Sequence, residues 1–399
     1  MIKTSILNVF KISFLILVFS GCDHTKELKC IQVSDLIQKD GTLSDKIVSL
    51  AHQMNISFKD DSKFENSNPT GIVLQSKKAE EFTDLVQGRH PLYKNFSLRQ
   101  TGKERWEMST SKTTSSPSDQ ERFAPTTEQV SYILRTLLDP AQKNAKDLHN
   151  LGMGGEQLPT NHNYEHILLL GSTYQNFEQR LIQLKRTLQI AEASPGFNPK
   201  KITIFLISGI RSLNPDEIES LNALQKKYQS TTQGSKQHKV LQKIIKAKET
   251  KNEFEMHNAQ LAAFALQISP EYSFAFTNEK TLEKGQKRSS TESTLAKYIK
   301  DQIAIDPECW NKKNILLVST HIFGLYQKLI AKRVLRLGSA MHKNSPYLGS
   351  IDITSSALKN TEGNHFNSTQ KLAIAADNLS RIFYEITSYK KTFNEYPSD

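Results

Sequence analysis

The chain contains few of the residues that define the simplest structural classes. Its 399 residues include 3 cysteines, 17 glycines and 13 prolines, and no C-x-x-C pair occurs. This composition excludes a disulfide scaffold, a cysteine-rich zinc site and a collagen-like repeat. The sequence also lacks the G-x-S-x-G of a nucleophile elbow and any apolar run of about 20 residues, the length of a permanent membrane helix. What remains is a globular composition whose length indicates one large domain or two.

The first residues have the pattern of a secretory leader. Lys3 and Lys11 precede a short apolar run, Ile12–Phe19, and two small residues then lead to Cys22. A charged start, a short apolar core and small residues at the cleavage site are typical of a signal peptide. We therefore predict a signal peptide over residues 1–21. A plain cleaved signal and an uncleaved anchor are the alternatives.

The segment ending in Ser-Gly-Cys resembles the lipobox of bacterial lipoproteins, in which the cysteine carries the lipid. Phe19 stands where that motif usually has leucine. By this resemblance Cys22 anchors an exported chain in the membrane of the bacterial cell envelope, and Asp23 favours the inner membrane. The two remaining cysteines, Cys30 and Cys309, could pair in an oxidising compartment.

The positive charge is concentrated in one stretch. The whole chain carries a formal charge of +11, and removal of the signal peptide takes away two lysines and no acid, which leaves 50 basic against 41 acidic residues, or +9. Residues 225–251 alone hold eight lysines and one acid. Export and localised charge argue against a nucleic-acid partner, whereas a basic amphipathic helix suits anionic lipid headgroups. The alternative is a solvated helix with lysines on its outer face. The apolar stripe of this stretch consists of Val240, Leu241, Ile244 and Ile245.

The chain divides into two regions by composition. Residues 22–125 give mixed, short signals, with a predicted helix near Lys78–Gln87 and a linker near 109–120 that has no apolar residue. Residues 126–392 predict an α/β domain, interrupted by a lysine-rich insertion at 212–252.

Four apolar runs in the second region alternate with stretches of helical periodicity. Strands that are apolar throughout suit a sheet covered on both faces, and alternation with helices gives right-handed parallel crossovers. We therefore predict an α/β fold with a doubly wound, mostly parallel, Rossmann-like sheet and a mixed N-terminal extension. A last helix, Leu372–Ile386, is predicted to cover the sheet. The four predicted strands lie in residues 166–172, 202–209, 272–278 and 315–321.

Small and hydroxylic residues end the predicted strands. In parallel sheets ligands bind at these ends, where free backbone N–H groups and helix dipoles favour a phosphate or carboxylate. Serine and threonine are also ordinary helix N-caps, which is the alternative reading. Three arginines, Arg180, Arg211 and Arg288, lie near the strand ends and could pair with a phosphate, and Ser289–Glu292 has capping-box spacing. The four strand ends read Gly171-Ser172-Thr173, Ser208-Gly209, Thr277-Asn278 and Ser319-Thr320-His321.

Two motif matches do not predict a site. The H-x-x-E-H pattern at His162–His166 runs directly into an apolar strand, where residues four apart lie about 13 Å apart, so it does not predict zinc. The glycines at Gly152–Gly155 precede the first strand and lack the third glycine of a dinucleotide fingerprint.

Five sequence blocks in order resemble the SanA/ElyC/YdcF-like family of bacterial envelope proteins. They are ILLLGS, FLISGIRSLNPDE, NEFEM, RSSTEST and ILLVSTHIFGLYQ, and they span about Tyr164 to Val334. The resemblance implies a doubly wound α/β fold, membrane association and a strand-end cleft, but no settled reaction. Ile210 replaces a family glycine, and the family's arginine after the histidine is absent. The family's cleft positions fall on Gly171, Arg180, Ser208, Gly209, Glu253, Arg288, Thr291, Ser319 and His321.

These observations lead to two hypotheses. In the first, the cleft binds an anionic, phosphate-bearing small molecule, with His321 and Glu253 as acid-base candidates and Arg180 and Arg288 as anion clamps. If the protein is an enzyme, it would then be a hydrolase or transferase. In the second, it is a non-enzymatic membrane-associated scaffold with a vestigial cleft. The sequence identifies no cofactor.

Overall fold

A computed structural model describes most of the chain outside its N-terminal leader. The described residues are 33–53, 56–62, 71–93, 159, 163–280, 289–307, 309–320, 323–341, 347–356 and 368–397. The predicted signal peptide, Cys22 and Cys30, the linker near 109–120, Arg288 and His321 lie outside them. Cys309 is exposed and has a free thiol.

The N-terminal region forms a small α/β unit. Its two strands pair in parallel, with Ile56 opposite Ile72. The second helix falls where the sequence predicted one, near Lys78–Gln87. The elements are α1 (Asp45–Gln53), β1 (Ile56–Phe58), β2 (Ile72–Leu74) and α2 (Ala79–Val86).

Within the described part of the chain, five strands form the main sheet, and all neighbouring pairs are parallel. The order across the sheet is β5-β4-β3-β6-β7. The four predicted strands are present, each with an end shifted by one or two residues. The fifth, β7, was not predicted. The strands are β3 (His166–Leu170), β4 (Thr203–Gly209), β5 (Ser273–Glu279), β6 (Ile315–Thr320) and β7 (Ile351–Ser356).

Helices cover both faces of this sheet. One face packs residues such as Leu169 and Leu206 against α3 and α6, and the other packs Leu168 and Leu317 against α7 and α8. The predicted doubly wound, Rossmann-like α/β fold is therefore confirmed. The helices of this region are α3 (Tyr174–Glu192), α4 (Pro215–Lys226), α5 (Lys236–Thr250), α6 (Glu253–Ala265), α7 (Thr291–Ile305), α8 (Gly324–Met341) and α9 (Ser368–Phe393).

The lysine-rich insertion consists of two helices, and its two ends are hydrogen-bonded to each other. Ser212 and Asn252 form an antiparallel bridge, and the Leu213 N–H donates to the Lys251 carbonyl at 2.9 Å. Between these points lie α4, capped by Asn214, and α5. The chain thus leaves the end of β4 and returns to the same place to begin α6.

The C-terminal helix α9 does not pack as predicted. Its buried residues Leu379, Phe383 and Ile386 belong to one apolar cluster with the N-terminal unit and Leu329 of α8. The prediction that this helix covers the sheet is therefore wrong, because α9 lies against α8 and α2. The rings of Phe383 and Phe82 meet edge to face with centroids 5.1 Å apart.

Among the described residues, no helix combines the length and the apolar character that a bilayer crossing requires.

The packing of α9 against the N-terminal unit predicts that Phe383→Ala strongly lowers the free energy of unfolding. Phe383 is fully buried, so its removal leaves a cavity between α9 and α2 and should lower the free energy of unfolding by about 3–5 kcal/mol. Urea denaturation measures the change. The matched control is Tyr384→Ala, one residue along the same helix and 41% exposed, which should cost much less. Equal costs for the two variants would contradict the packing described above.

Candidate functional site

Polar side chains of β4 and α6 converge at the carboxyl end of β3. A Cβ atom placed on Gly171 would lie 2.8 Å from Ser208 Oγ, 3.2 Å from Glu253 Oε1 and 3.2 Å from His257 Cε1. A contact as short as 2.8 Å is not tolerated without a shift, so the approach requires glycine at this position. The structure therefore brings together three sequence-predicted residues, Gly171, Ser208 and Glu253, and adds His257.

His257 bridges the β3–α3 loop and the end of β4. Its Nε2 lies 2.7 Å from the Ser172 carbonyl oxygen, and its Nδ1 lies 3.0 Å from Ser208 Oγ. A carbonyl only accepts, so Nε2 carries the proton; the Ser172 N–H also points towards this nitrogen, but at a weaker 3.4 Å. Burial lowers the pKa of His257 to about 3, so the ring is neutral. The unprotonated Nδ1 then accepts a hydrogen bond from the Ser208 hydroxyl. The ring also stacks on Phe177 at 4.1 Å.

Arg211 lies between two carboxylates. Its Nη1 and Nη2 each donate at 2.7 Å to Glu217, and its Nε donates to Glu253 Oε2 at 2.7 Å. Burial by itself lowers the pKa of Arg211, but the two carboxylates outweigh this effect and raise the pKa above its ordinary value. Arg211 was predicted to bind a ligand; in the structure its main contacts are with these two acids, and it holds Glu253 in place.

Glu217 occupies a position that an anion could otherwise take. It is fully buried and accepts the Tyr174 N–H, in the first turn of α3, at 3.2 Å. It also accepts the Asn214 N–H as part of the capping box of α4. An anion at a helix N-terminus is stabilised by the unpaired N–H groups and the dipole of that helix. Here the Glu217 carboxylate of the protein itself is that anion.

Arg180 joins the ends of the two strands at the centre of the sheet. Its Nη1 donates to the carbonyls of Leu170 and Gly171 at 2.6 and 3.0 Å, and its Nε and Nη2 donate to Thr320 Oγ1 at 3.2 and 3.1 Å. The residue is 2% exposed. It therefore places a guanidinium group between β3 and β6.

Other predicted residues lie nearby but make different contacts. Ser319 points to the α7–α8 face, where its hydroxyl bonds to Gln327. Gly209 lies against Ser289, which leaves no room for a Cβ atom. Thr291 is the first residue of α7, and its carbonyl accepts the Thr294 hydroxyl.

The capping box of α7 differs from the predicted one. The prediction paired Ser289 with Glu292, but Ser290 is the N-cap and Ser293 completes the box. Glu292 instead pairs with Arg333 of α8 through two 2.9 Å hydrogen bonds. A serine can replace the usual glutamate because its hydroxyl also accepts the N-cap N–H.

His166 has a structural environment. Its Nδ1 lies 2.6 Å from the Tyr298 hydroxyl, and its ring contacts Phe205. Burial lowers the pKa of His166 to about 4. No group of three or more histidine, cysteine or acidic side chains in the described part of the chain is placed to hold a metal ion.

Comparison with known proteins identifies no relative. No protein-family model matches the chain, and neither a curated protein nor a solved structure matches it significantly. The site must therefore be interpreted from its own geometry.

Sequence reasoning missed His257 and Glu217. The signal for His257 was its position four residues after Glu253, which puts both side chains on one face of α6. The signal for Glu217 was its capping-box spacing from Asn214. Neither pattern shows that the residue reaches a strand end, because that depends on how the insertion returns to the sheet.

Crowding at the end of β3 predicts that Gly171→Ala is destabilising. The new methyl group would meet Ser208 Oγ at 2.8 Å, and overpacking of this kind costs about 1–3 kcal/mol. Urea denaturation should show the loss, and adding Ser208→Ala should recover part of it by removing the nearest atom. Ser208→Ala alone is the reference. If Gly171→Ala cost nothing, the close approach described here would be incorrect.

Burial of neutral His257 predicts a specific pH dependence of stability. The folded-state pKa of about 3 lies below the ordinary value of 6.5, so only the unfolded chain takes up a proton between these values. The contribution of neutral His257 to the free energy of unfolding is fully present above pH 6.5. As the pH falls from 6.5 towards 3, this contribution is lost at about 1.4 kcal/mol per pH unit. Urea denaturation over this range should give a shallower decline for His257→Gln than for the wild type. His238→Gln controls for the loss of one histidine, and parallel declines in wild type and His257→Gln would exclude the effect.

Proposed function

We propose that the protein is a lipid-anchored protein of the bacterial cell envelope whose α/β domain binds an anionic, phosphate-bearing small molecule at the strand ends. The resemblance to the SanA/ElyC/YdcF-like family is consistent with this proposal. If the site is catalytic, the reaction is hydrolysis or group transfer.

One observation carries the proposal: polar side chains gather at the carboxyl end of β3, the strand from which the strand order reverses. From β3, the chain proceeds to β4 and β5 on one side and to β6 and β7 on the other. In open α/β sheets the crevice at this switch point is the usual ligand site. Here the switch point lies between the ends of β3 and β6, which the buried Arg180 joins through the Gly171 carbonyl and the Thr320 hydroxyl.

The charges of the described residues suggest how a ligand would be oriented. The anionic group would lie on the β3–β6 side, where Arg180 and the N-terminus of α8 supply positive potential. Glu253, held by Arg211, would face the part of the ligand that donates or loses a proton. His321 directly follows β6 in sequence and is the second acid-base candidate of the proposal.

Membrane anchoring is supported by the leader sequence alone. Residues 1–21 have signal-peptide character and end at Cys22 in a lipobox-like context. Lipidation of Cys22 would hold the domain at the membrane surface without a transmembrane helix. The intact mass of the mature protein tests this part, because a lipidated Cys22 adds the mass of its acyl chains.

A second candidate is favoured by the position of Glu217. This carboxylate already accepts an N–H at the start of α3 and pairs with Arg211, so part of the cleft's capacity for anions is used internally. A non-enzymatic scaffold with a vestigial cleft would show this arrangement.

Ligand screening by thermal shift distinguishes the two candidates. We expect stabilisation of the wild type by at least one of inorganic phosphate, sugar phosphates, nucleotides and isoprenyl phosphates. A ligand at 100 times its Kd adds about 2.7 kcal/mol to the free energy of unfolding. Separate His321→Ala and Arg288→Ala variants should lose most of that shift. Arg180→Ala is not suitable, because it also removes the hydrogen bonds that join β3 to β6.

Lys300→Ala, an exposed change on α7, is the matched control and should respond like the wild type. If no phosphate-bearing compound stabilised the wild type, the scaffold would be the better description. An equal shift in the wild type and both site variants would place the ligand elsewhere.

A further inference from the structure

The lysine-rich helix α5 buries apolar residues on one face and carries lysines on other faces. Val240, Ile244 and Ala247 are buried in a cluster with residues of α4 and α6. Two of the four residues of the predicted apolar stripe, Val240 and Ile244, are therefore part of the protein's own core, whereas Ile245 is exposed. Any contact with an external surface must use the other faces of α5.

Four lysines form a row along one such face. Lys236, Lys239, Lys243 and Lys246 are spaced by three, four and three residues, which places them within an arc of about 80° over a length of about 15 Å. Lys236, Lys239 and Lys246 are exposed. We call these four residues the lysine row.

Neighbouring elements fix the position of the lysine row. Lys243 Nζ donates to Asn258 Oδ1 at 2.6 Å, and Lys246 Nζ lies 2.7 Å from Glu255 Oε1. Glu255 offsets one of the four positive charges. Lys243 and Lys246 are thus held against α6, and all four lysines lie on the same helix.

An exposed aromatic ring lies beside the row. Phe276 of the edge strand β5 is 47% exposed, and Lys243 Nζ is 5.5 Å from the centre of its ring. The ring also meets Phe254 of α6 edge to face, with centroids 6.4 Å apart. A large apolar side chain flanked by lysines is the combination found on helices and surfaces that lie in the headgroup region of a bilayer.

We propose that the lysine row and Phe276 form a docking surface for anionic phospholipid headgroups, which turns the β5 edge of the sheet towards the membrane. Charge complementarity selects an anionic bilayer, and each lysine near such a surface strengthens binding about fivefold. The inference depends on the proposed lipid anchor, because a tethered domain meets the surface at high effective concentration. It does not depend on the ligand of the cleft.

Lysine labelling on vesicles tests this orientation. The full chain, lipidated at Cys22, is reconstituted in phosphatidylcholine vesicles with or without phosphatidylglycerol and treated with a water-soluble amine reagent. Mass spectrometry then gives the labelling of each lysine. We expect Lys236, Lys239 and Lys246 to be labelled at least fivefold more slowly on the anionic vesicles. High salt should remove the protection, because surface charges are screened.

A matched pair of variants shows which lysines are responsible. Changing the four row lysines to glutamine should abolish the preference for anionic vesicles. Changing Lys200, Lys201, Lys300 and Lys312 to glutamine alters the net charge equally at exposed sites elsewhere and should preserve it. Phe276→Ser in an otherwise unchanged chain should weaken the protection without removing its salt dependence.

Flotation with neutral vesicles tests the anchor separately, since the lipidated chain should float and a Cys22→Ser chain should not. A chain that floats but shows equal labelling of the row on both vesicle types would overturn the docking surface and leave the anchor standing. A chain that does not float would refute the anchor. Equal protection of the row by a soluble polyanion, such as heparin, would replace the membrane with a polyanionic partner and overturn the proposal.

Discussion

The buried ion cluster of Arg211, Glu217 and Glu253 is the interaction on which the cleft depends. It joins the end of β4, the start of α4 and the start of α6, and Glu217 extends it to the first turn of α3. Two carboxylates and one guanidinium that are largely buried tolerate this environment only because each is paired and hydrogen-bonded. Removing one partner from such a cluster leaves an uncompensated charge, which typically costs about 3–5 kcal/mol. The cluster therefore fixes the two ends of the insertion at 212–252 against each other at the edge of the sheet.

The fold was largely predictable, because a strand covered on both faces needs an uninterrupted apolar run along most of its length. β3, β4 and β6 satisfy this rule, and their apolar runs stand out in the sequence. β7 does not, since Asp352 and three hydroxylic residues interrupt it, and edge strands need less apolar surface. The packing of α9 was mispredicted because its periodicity shows only that one face is buried and does not identify the partner.

The site was predictable where its residues lie at strand ends or, like Glu253, at the start of a helix that faces that edge. Gly171 and Ser208 follow from the position of β3 and β4, since parallel strands end at one edge. The roles of Arg211 and His257 depend on contacts between residues 42 and 49 positions apart, which no local pattern encodes. The same limit explains why Arg211 was predicted to bind a phosphate. Its position in the sequence shows only that it is near the cleft. Its partners, Glu217 and Glu253, are brought to it by the path of the insertion.

The contact between α2 and α9 determines how mechanical force would enter the molecule. Thr83 of α2 and Gln87, which follows that helix, donate to backbone carbonyls of α9, and the Tyr396 hydroxyl bonds to Glu80 at 2.5 Å. Tension applied through the N-terminal segment would pass to the C-terminal helix across this interface, whose apolar cluster includes no described strand of the main sheet.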